Sequence, residues 1–580
     1  MSRYDVAIIG SGFAGSLLAR ILARQGHSVA LIERGTHPRF AIGESSTPLA
    51  SLSLERIARR YNLPDCYHLA THGRWLTHLP ELRRGLKRGF TFYRHHPGEA
   101  FENRGLTSER LLVAASPNDF VADTHWLRAD VDHHMVREAI AASVAYRDQV
   151  ELASMELRPD GVHLAGLRGG VPFALDAGFV VDASGGNGFV ARQLEVPSAL
   201  DQVRTHSALL FSHFDGVRLV RDMVPGLPDG PYPDDLAAVH HIIDEGWMYS
   251  LRFDDGVTSA GFALTPEGLR ALEDEVGGAN AAHESERKPA AAHSRRAERL
   301  WHQLMRRYPT IGTLFGSAAP RMPITLQPRM QHRLTHAAGD GWALLPSAYA
   351  FVDPLFSTGI AWSLRAVERL ARCFEISATT TGGARAPSAQ QLAHYDSLLS
   401  READQIDLLV AGAYEAMPRF DDFVAQSMLY FATVSFAEAH ERLIPGDEDP
   451  WTGFLGVDDP ILAPLPSESV QRLCRLRARD ERTYSAARPG TASDNAAGGR
   501  AALGNRDVAG PRVALLPFAT WVTESIAPRN IAALADPARH NLYPADLEAL
   551  VDRHALLGLT RDQVVAGLPA LRGMAPPDFS

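Results

Sequence analysis

The sequence predicts an α/β fold: a βαβ nucleotide-type unit at the N terminus, a mixed β-sheet unit interleaved with it, and a mainly helical C-terminal region. Three observations carry this. Residues 4–33 change from strand pattern to helix pattern and back, with glycines at the first change. Strand-like runs recur near 89–93, 144–182 and 205–265. Beyond about residue 376 the apolar spacing becomes helical, with Leu398, Leu399, Ile406, Leu409, Met428 and Phe431.

The N-terminal unit is the most informative. Tyr4 to Ile9 is a short apolar run rich in β-branched residues, as in a buried strand. It enters Gly10-Ser11-Gly12-Phe13-Ala14-Gly15 directly, and Leu17, Leu18, Ile21 and Leu22 then share a helical face. Ser28 to Ile32 forms a second strand ending at Glu33. This is the Rossmann arrangement. Gly10 permits the tight turn, Gly12 admits a pyrophosphate to the backbone, and Gly15 lets helix and strand approach. The helix N-terminus, at Phe13 and Ala14, offers unpaired N–H groups to phosphate. Glu33 is placed to accept hydrogen bonds from ribose hydroxyls.

Composition narrows the class. At 580 residues the chain is long enough for two or three structural units. Apolar residues make up 45% and charged residues 22%, ordinary for a globular protein, and a net charge of −10 argues against nucleic-acid binding. Cys66, Cys373 and Cys474 are far apart, with neither metal-ligand nor disulfide-framework spacing. No metal site is expected. His95-His96 and His133-His134 are adjacent pairs, whose side chains diverge on either a strand or a helix. No leader precedes the first strand and no transmembrane segment is visible, so a cytoplasmic location is expected.

Gly43-Glu44-Ser45-Ser46-Thr47-Pro48 follows the second strand. Here the chain resembles the flavin-dependent halogenases, within the FAD monooxygenases related to p-hydroxybenzoate hydroxylase, which carry a G-E-S-x-x-P element after the Rossmann unit. The resemblance implies FAD in the site, with Ser45 beside it. After a helix over Leu49–Tyr61 and a loop-rich stretch over 62–86 containing Trp75, Lys87-Arg88-Gly89-Phe90-Thr91-Phe92 matches K-x-G-x-x-F. In phenol- and pyrrole-type halogenases that lysine is catalytic. On chemistry alone, Lys87 reads first as a surface lysine in a basic patch with Arg83, Arg84 and Arg88; only the surrounding motifs favour the catalytic reading.

Other motifs extend the resemblance. Arg128 and Asp132 match an R-x-x-F/V-D element whose arginine lies near the flavin. Asp182-Ala183-Ser184-Gly185-Gly186 resembles the family's second nucleotide-side loop, which places Asp182 and Gly185 beside the cofactor. Trp247 and Tyr249 occupy the place of a W-x-W-x-I-P signature thought to keep substrate from flavin; here Tyr249, Leu251 and Arg252 replace the second Trp, Ile and Pro. They also read as an ordinary aromatic strand. Asp353-Pro354-Leu355-Phe356-Ser357-Thr358-Gly359-Ile360 is close to the halogenase form. In that family this loop touches flavin, with Asp353, Gly359 and Ile360 as contacts, and holds halide at the Thr358 and Gly359 N–H groups. A hydroxylase would use the loop against the flavin ring alone. Leu345-Pro346 stands where these monooxygenases carry Gly-Asp.

The predicted organisation is a core over 1–375, its substrate-side sheet mainly over 65–125 and 200–335, with a polar, partly helical insertion over 277–300. A helical region over 376–580 follows, with a mobile linker near 485–512 and a helix starting near Pro544. What the resemblance implies is a halogenase in secondary metabolism. Reduced FAD (FADH2), dioxygen and chloride or bromide would give hypohalous acid, which Lys87 directs onto a small electron-rich aromatic of phenol or pyrrole type, free or tethered to a carrier protein. A separate flavin reductase would supply FADH2. An FAD-dependent aromatic hydroxylase and a non-catalytic flavin-binding partner of a biosynthetic complex are the competing readings.

Overall fold

A computed structural model describes residues 2–542, apart from 103–108, 117, 225, 227–229, 278–288, 381–385, 444–449, 487–516 and 531–540. The N-terminal part runs β1 (Ser2–Ile9), α1 (Phe13–Arg24), β2 (Val29–Ile32), α2 (Pro48–Tyr61), β3 (Arg84–Lys87), β4 (Gly89–Arg94), β5 (Arg110–Ala114), β6 (Asp123–Trp126) and α3 (Arg128–Ala141). Next come β7 (Ala145–Arg147), β8 (Val150–Arg158), β9 (Gly161–Arg168), β10 (Val171–Asp182), β11 (Ala208–Asp215), β12 (Ala238–Ile243), β13 (Gly246–Arg252), β14 (Thr258–Leu264) and β15 (Trp342–Leu344). The longer helices that follow are α4 (Thr358–Thr380), α5 (Ala389–Ala416), α6 (Phe420–Leu443), α7 (Leu465–Ala486) and α8 (Pro517–Ile526).

The nucleotide-type unit is a parallel sheet ordered β15-β10-β1-β2-β7. Val6 to Ile9 and Val29 to Ile32 are all buried, which is why both runs are continuously apolar. The β8–β9 hairpin adds to the first half of β10 in antiparallel register. A second sheet contains the order β11-β14-β13-β12-β4-β5, antiparallel among these strands except where β12 meets β4, and the short strand Asn541–Leu542 adds to β5 in parallel. A two-stranded ribbon, β3–β6, is separate from both sheets.

Residues 62–86 depart from the loop-rich expectation. Two short helices, Pro64–Leu69 and His72–His78, occupy much of the stretch. Trp75 is buried on the second, its ring edge-on to Trp126 at 6.3 Å and its indole N–H donating to the Leu82 carbonyl. Tertiary burial of that ring outweighs a weak local pattern. The 277–300 insertion joins two helices, Pro266–Gly277 and Pro289–Arg307, and the second buries Leu300, Trp301 and Leu304. Most of the predicted linker and the predicted helix start at Pro544 lie outside the described residues.

The C-terminal helices are joined to the sheets by one continuous core, which holds Val6, Leu344, Leu364, Leu409 and Phe431 together. Buried ion pairs add polar links. Arg56 of α2 bridges Glu368 of α4 and Glu441 of α6, and Arg365 of α4 also reaches Glu441. Arg442 of α6 pairs with Glu55 of α2, and Arg369 of α4 pairs with Glu402 of α5. Among the described residues, no helix is long and apolar enough to cross a membrane.

Candidate active site

The C-terminal ends of β1 and β10 lie side by side, Ile9 against Asp182, at the crevice where this kind of sheet takes ligands. Gly10 turns the chain there at φ +104°, and a Cβ on it would lie 2.4 Å from the Ala183 carbonyl oxygen. A Cβ on Gly15 would lie 2.1 Å from the Gly10 carbonyl oxygen. Both positions therefore require glycine for backbone contact. Gly12 differs: its nearest neighbour would be Arg128 Nη2 at 3.5 Å, so the side facing a ligand is open. Gly185, at φ +66°, also has nothing within 4 Å of a Cβ.

Charged groups surround this cradle. Asp132 Oδ1 accepts the Phe13 N–H at the start of α1, while its two oxygens hold Arg128 Nε and Nη2 at 2.8 and 2.9 Å. Arg128 Nη1 donates to the Ile42 and Gly43 carbonyls, so the arginine ties the 43–48 segment to α1. Ala14 follows within the same first turn. Glu33 accepts from the Ser11 N–H and hydroxyl, the Gly35 N–H and Arg39. Burial opposes its ionisation, but the Gly35 amide, Arg39 and Ser11 together hold the carboxyl below its usual range. The Ser45 hydroxyl is buried and has no partner among the described residues. An open glycine cradle at a helix N-terminus, an unpartnered buried hydroxyl and fixed arginines fit a dinucleotide cofactor.

Two predicted contacts have a structural task. Asp182 accepts the Ser184 and Val190 N–H groups and so shapes the loop after β10. Asp353 accepts from the Ser207 hydroxyl, the Tyr414 hydroxyl and the Leu355 N–H; burial pushes its carboxyl up to about 6. It therefore shapes the loop leading to α4. At the end of that loop Ser357 is left-handed (φ +55°), and Thr358 and Gly359 begin the helix, with Ile360 buried behind them. Nothing lies within 4 Å of a Cβ built on Gly359, so this N-terminus faces open space. Where a Gly-Asp was expected, Leu345 donates its N–H to the Asp182 carbonyl and Pro346 starts a short helix, Pro346–Tyr349.

Lys87 is fully buried, which removes the surface-lysine reading; Arg84 and Arg88 are buried too. It ends β3, where the antiparallel register sets it opposite Asp123 of β6. Its ammonium donates to the Ser46 carbonyl at 2.6 Å and lies 4.0 Å from the centre of the Phe90 ring. The Ser46 hydroxyl bonds the Thr124 carbonyl and accepts its N–H, which fixes the G-E-S-S segment against β6. Burial pushes the amine down to about 7, against the pull of Asp123. Burial likewise pushes the Asp123 carboxyl up to about 7, against the pull of Lys87.

An aromatic layer connects Lys87 with the 353–360 loop. The Phe90 ring centre is 5.1 Å from that of Phe431, which is 6.1 Å from that of Phe356 in the loop. Phe92 stacks on His240 at 4.6 Å and meets Phe423 at 5.3 Å. Tyr430 stacks on Phe356 at 4.2 Å and donates its hydroxyl to the Phe356 carbonyl. Trp247 is fully buried, its indole N–H bonded to the Tyr414 hydroxyl, and Tyr249 lies beside it at 6.3 Å. Sequence reasoning missed Asp123, Tyr414, Phe423 and Tyr430. Phe431 read only as part of a helical face, and nothing local marks its partner.

Comparison with known proteins bears on this arrangement. Residues 8–63 match the model of the NAD(P)-binding Rossmann-like domain. Tetracycline 7-halogenase of Kitasatospora aureofaciens is 29% identical over 362 residues, 62% of this chain and 61% of that protein. The chain is a relative of the flavin-dependent halogenases. Monodechloroaminopyrrolnitrin halogenase PrnC of Pseudomonas fluorescens is 27% identical over 62% of this chain and 59% of its own length. The match to these halogenases thus spans about three fifths of their length. The crystal structure of halogenase PltM with phloroglucinol and FAD superposes with a TM-score of 0.70 over 83% of this chain and 94% of that one, at 24% identity. The PltM structure with ethyl mercury and mercury gives 0.72 over 93% and 100%, at 22% identity. The halogenase fold therefore extends beyond the motif-bearing part into the C-terminal helices.

Proposed function

We propose that the chain is a flavin-dependent halogenase that uses FADH2, dioxygen and chloride or bromide to halogenate an electron-rich arene of phenol or pyrrole type. The observation that carries this is Lys87: a fully buried amine, reachable in its neutral form near pH 7, set in an aromatic layer that leads to the 353–360 loop. Bound FADH2 supplies the reducing electrons with which dioxygen oxidises halide to hypohalous acid. The residues around it hold and orient. Gly10, Gly12 and Gly15 admit phosphate to the start of α1, and Ser45 offers its free hydroxyl. The Thr358 and Gly359 N–H groups, at the open N-terminus of a long helix, suit a halide.

Lys87 then polarises hypohalous acid through its ammonium or accepts the halogen on its free nitrogen. A guanidinium could not serve the second route. The phenyl rings around it exclude water and favour a flat, apolar substrate. Two relatives, of Pseudomonas fluorescens and Pseudoalteromonas luteoviolacea, are named as a chlorinase and a brominase of pyrrole-2-carbonyl on a peptidyl carrier protein. A carrier-tethered substrate is proposed here on that basis, with a separate reductase for FADH2.

Tyr249 and Arg252, in place of the second Trp and the Pro of the signature, favour a second reading, an aromatic hydroxylase. One experiment separates them: incubation with reductase, FAD, NADH and bromide over a panel of phenols, pyrroles and indoles, read by mass spectrometry. Bromine isotope doublets are expected. Oxygenated product without halogen would establish the hydroxylase, and flavin that never turns over would leave only a binding role.

A further inference from the structure

We propose that Asp123 is the proton partner of Lys87, taking the proton the amine must lose before it meets hypohalous acid and returning it after halogen transfer. This rests on the halogenase reading of Lys87. Asp123 acts through that lysine and is a positioning residue.

The geometry is specific. Lys87 and Asp123 are directly opposed in the β3–β6 ribbon, so their side chains leave the same face with Cβ atoms about 5 Å apart. Both are buried, yet among the described residues no ion pair joins them. Asp123 Oδ1 accepts the Ser51 hydroxyl at 3.2 Å, and Oδ2 is buried with no partner at all. A buried carboxylate oxygen without a donor is costly unless it carries a proton itself. The ammonium directly opposite it in the ribbon can supply that proton.

The surrounding groups leave this pair as the one that exchanges a proton near neutrality. His125, on the Asp123 strand, and His240 of β12 are each held down at about 3, mainly by burial and then by Lys87, and stay neutral. Tyr430 of α6 is pushed far up by burial. Glu438 and Arg442 of α6 act on Asp123 in opposite senses, the first raising and the second lowering it. Lys87 and Asp123 themselves are both brought to about 7.

The steps balance. The ammonium passes one proton to the carboxylate, leaving a free amine and a carboxylic acid. The amine nitrogen forms an N–X bond with hypohalous acid as the O–X bond breaks, and the lost amine proton and the hydroxide leave as water. The arene carbon takes X, its C–H proton passes to nitrogen as the N–X bond breaks, and Asp123 returns the shared proton. Halogen is reduced and the arene carbon oxidised; no other oxidant enters.

The test has two arms. Difference infrared spectra of wild type minus Asp123→Asn, taken across pH, should show a carboxylic acid C=O band that disappears as pH rises through neutrality. In Lys87→Met that band should persist to higher pH, because the neighbouring positive charge is gone. A band already lost by about pH 5, or one that Lys87→Met does not move, overturns the proposal. This arm needs no turnover, and if Asp123→Asn fails to fold, the pH difference spectra of wild type compared with Lys87→Met carry the test alone. In the second arm, Asp123→Asn removes the proton acceptor and should lower product halogenation about tenfold or more at pH 7; because the carboxylate also holds the amine up, the rising acid limb of the pH profile should move to lower pH. Asp123→Glu should recover part of both. A uniform loss at every pH with the limb unmoved means a structural aspartate and overturns the proposal. Undiminished halogenation by Lys87→Ala would instead sink the function proposed above, leaving the infrared result to stand by itself.

Discussion

Removing the Glu402 carboxylate should nearly unfold the protein. Glu402 and Arg369 are each 0% exposed, and the pair joins α5 to α4, the helix that begins at Thr358. One Glu402 oxygen accepts Arg369 Nη1 and the Trp362 indole N–H, both at 2.8 Å; the other accepts Arg369 Nη2 at 2.6 Å and the Phe454 N–H at 2.7 Å. Arg369 also donates to the Pro450 and Thr452 carbonyls. Glu402→Ala leaves a buried guanidinium without its counter-charge, a loss of about 3–5 kcal/mol. It also strands the Trp362 and Phe454 donors, at about 1–3 kcal/mol each where water cannot reach them. Partial relaxation brings the sum to roughly 5–8 kcal/mol, comparable with the whole stability of many proteins. Glu402→Gln keeps acceptor capacity and should lose about half as much. Replacing both partners, Arg369→Met with Glu402→Leu, removes the desolvated charges together and should recover most of the loss. Urea unfolding followed by far-UV circular dichroism reads the series. A Glu402→Ala protein within about 1 kcal/mol of wild type, or a double variant no better than the single one, would refute the reasoning.

Lys87→Ala should keep its flavin and still release hypohalous acid to a monochlorodimedone trap, while product halogenation falls roughly 100-fold or more; equal halogenation would contradict the role given to the amine. Gly12→Val, whose Cβ meets nothing closer than 3.5 Å, should fold but purify without flavin absorbance. Gly15→Ala, with its Cβ 2.1 Å from a backbone oxygen, should instead lower the unfolding midpoint itself. Normal flavin content in the first variant, or normal stability in the second, would mean the loop is misassigned. Acid should unfold the protein partly through Glu441. Burial opposes its ionisation, yet Arg365 and Arg56 hold it down at about 2 against the ordinary 4.5, so its stabilisation is present above pH 4.5 and is lost as pH falls toward 2. Glu441→Gln should flatten that limb of the stability–pH curve, and an unchanged slope would count against the ion-pair account.

The βαβ unit was legible because its physics is local: the glycines, the apolar runs and Glu33 act within a single turn-and-strand unit. The helical character of the C-terminal region was legible for the same reason, through the spacing of residues such as Leu409 and Met428. Trp75 was misread because its helix exists to bury an indole against Trp126, a contact invisible in the flanking sequence. Lys87 was visible only through resemblance. Its chemistry comes from Ser46, Asp123 and Phe90, and from Phe431 behind Phe90, on four different elements or segments. A lysine flanked by arginines reads as surface charge until those partners are placed. Leu345-Pro346 was legible as a departure, but not its consequence, a bond to the Asp182 loop and a short helix in the loop's place.

On the proposed reading, the identity of the rings in the aromatic layer matters as much as their packing. Hypohalous acid attacks phenols, indoles and amines readily and unactivated phenyl rings slowly. The rings joining the 353–360 loop to Lys87 are Phe356, Phe431 and Phe90, all phenyl. The activated rings nearby are engaged: Tyr430 bonds the Phe356 carbonyl with its ionisation suppressed by burial, and Trp247 bonds Tyr414. Helix α6 holds Tyr430 and Phe431 in place, because Glu441 and Arg442 anchor its far end to α2 and α4. A C-terminal helix with no catalytic signature of its own thus supplies an inert wall and holds it in register with the loop. Along the Phe356–Phe431–Phe90 path, Lys87 is then the first strongly nucleophilic group, which is what directing a diffusible electrophile requires.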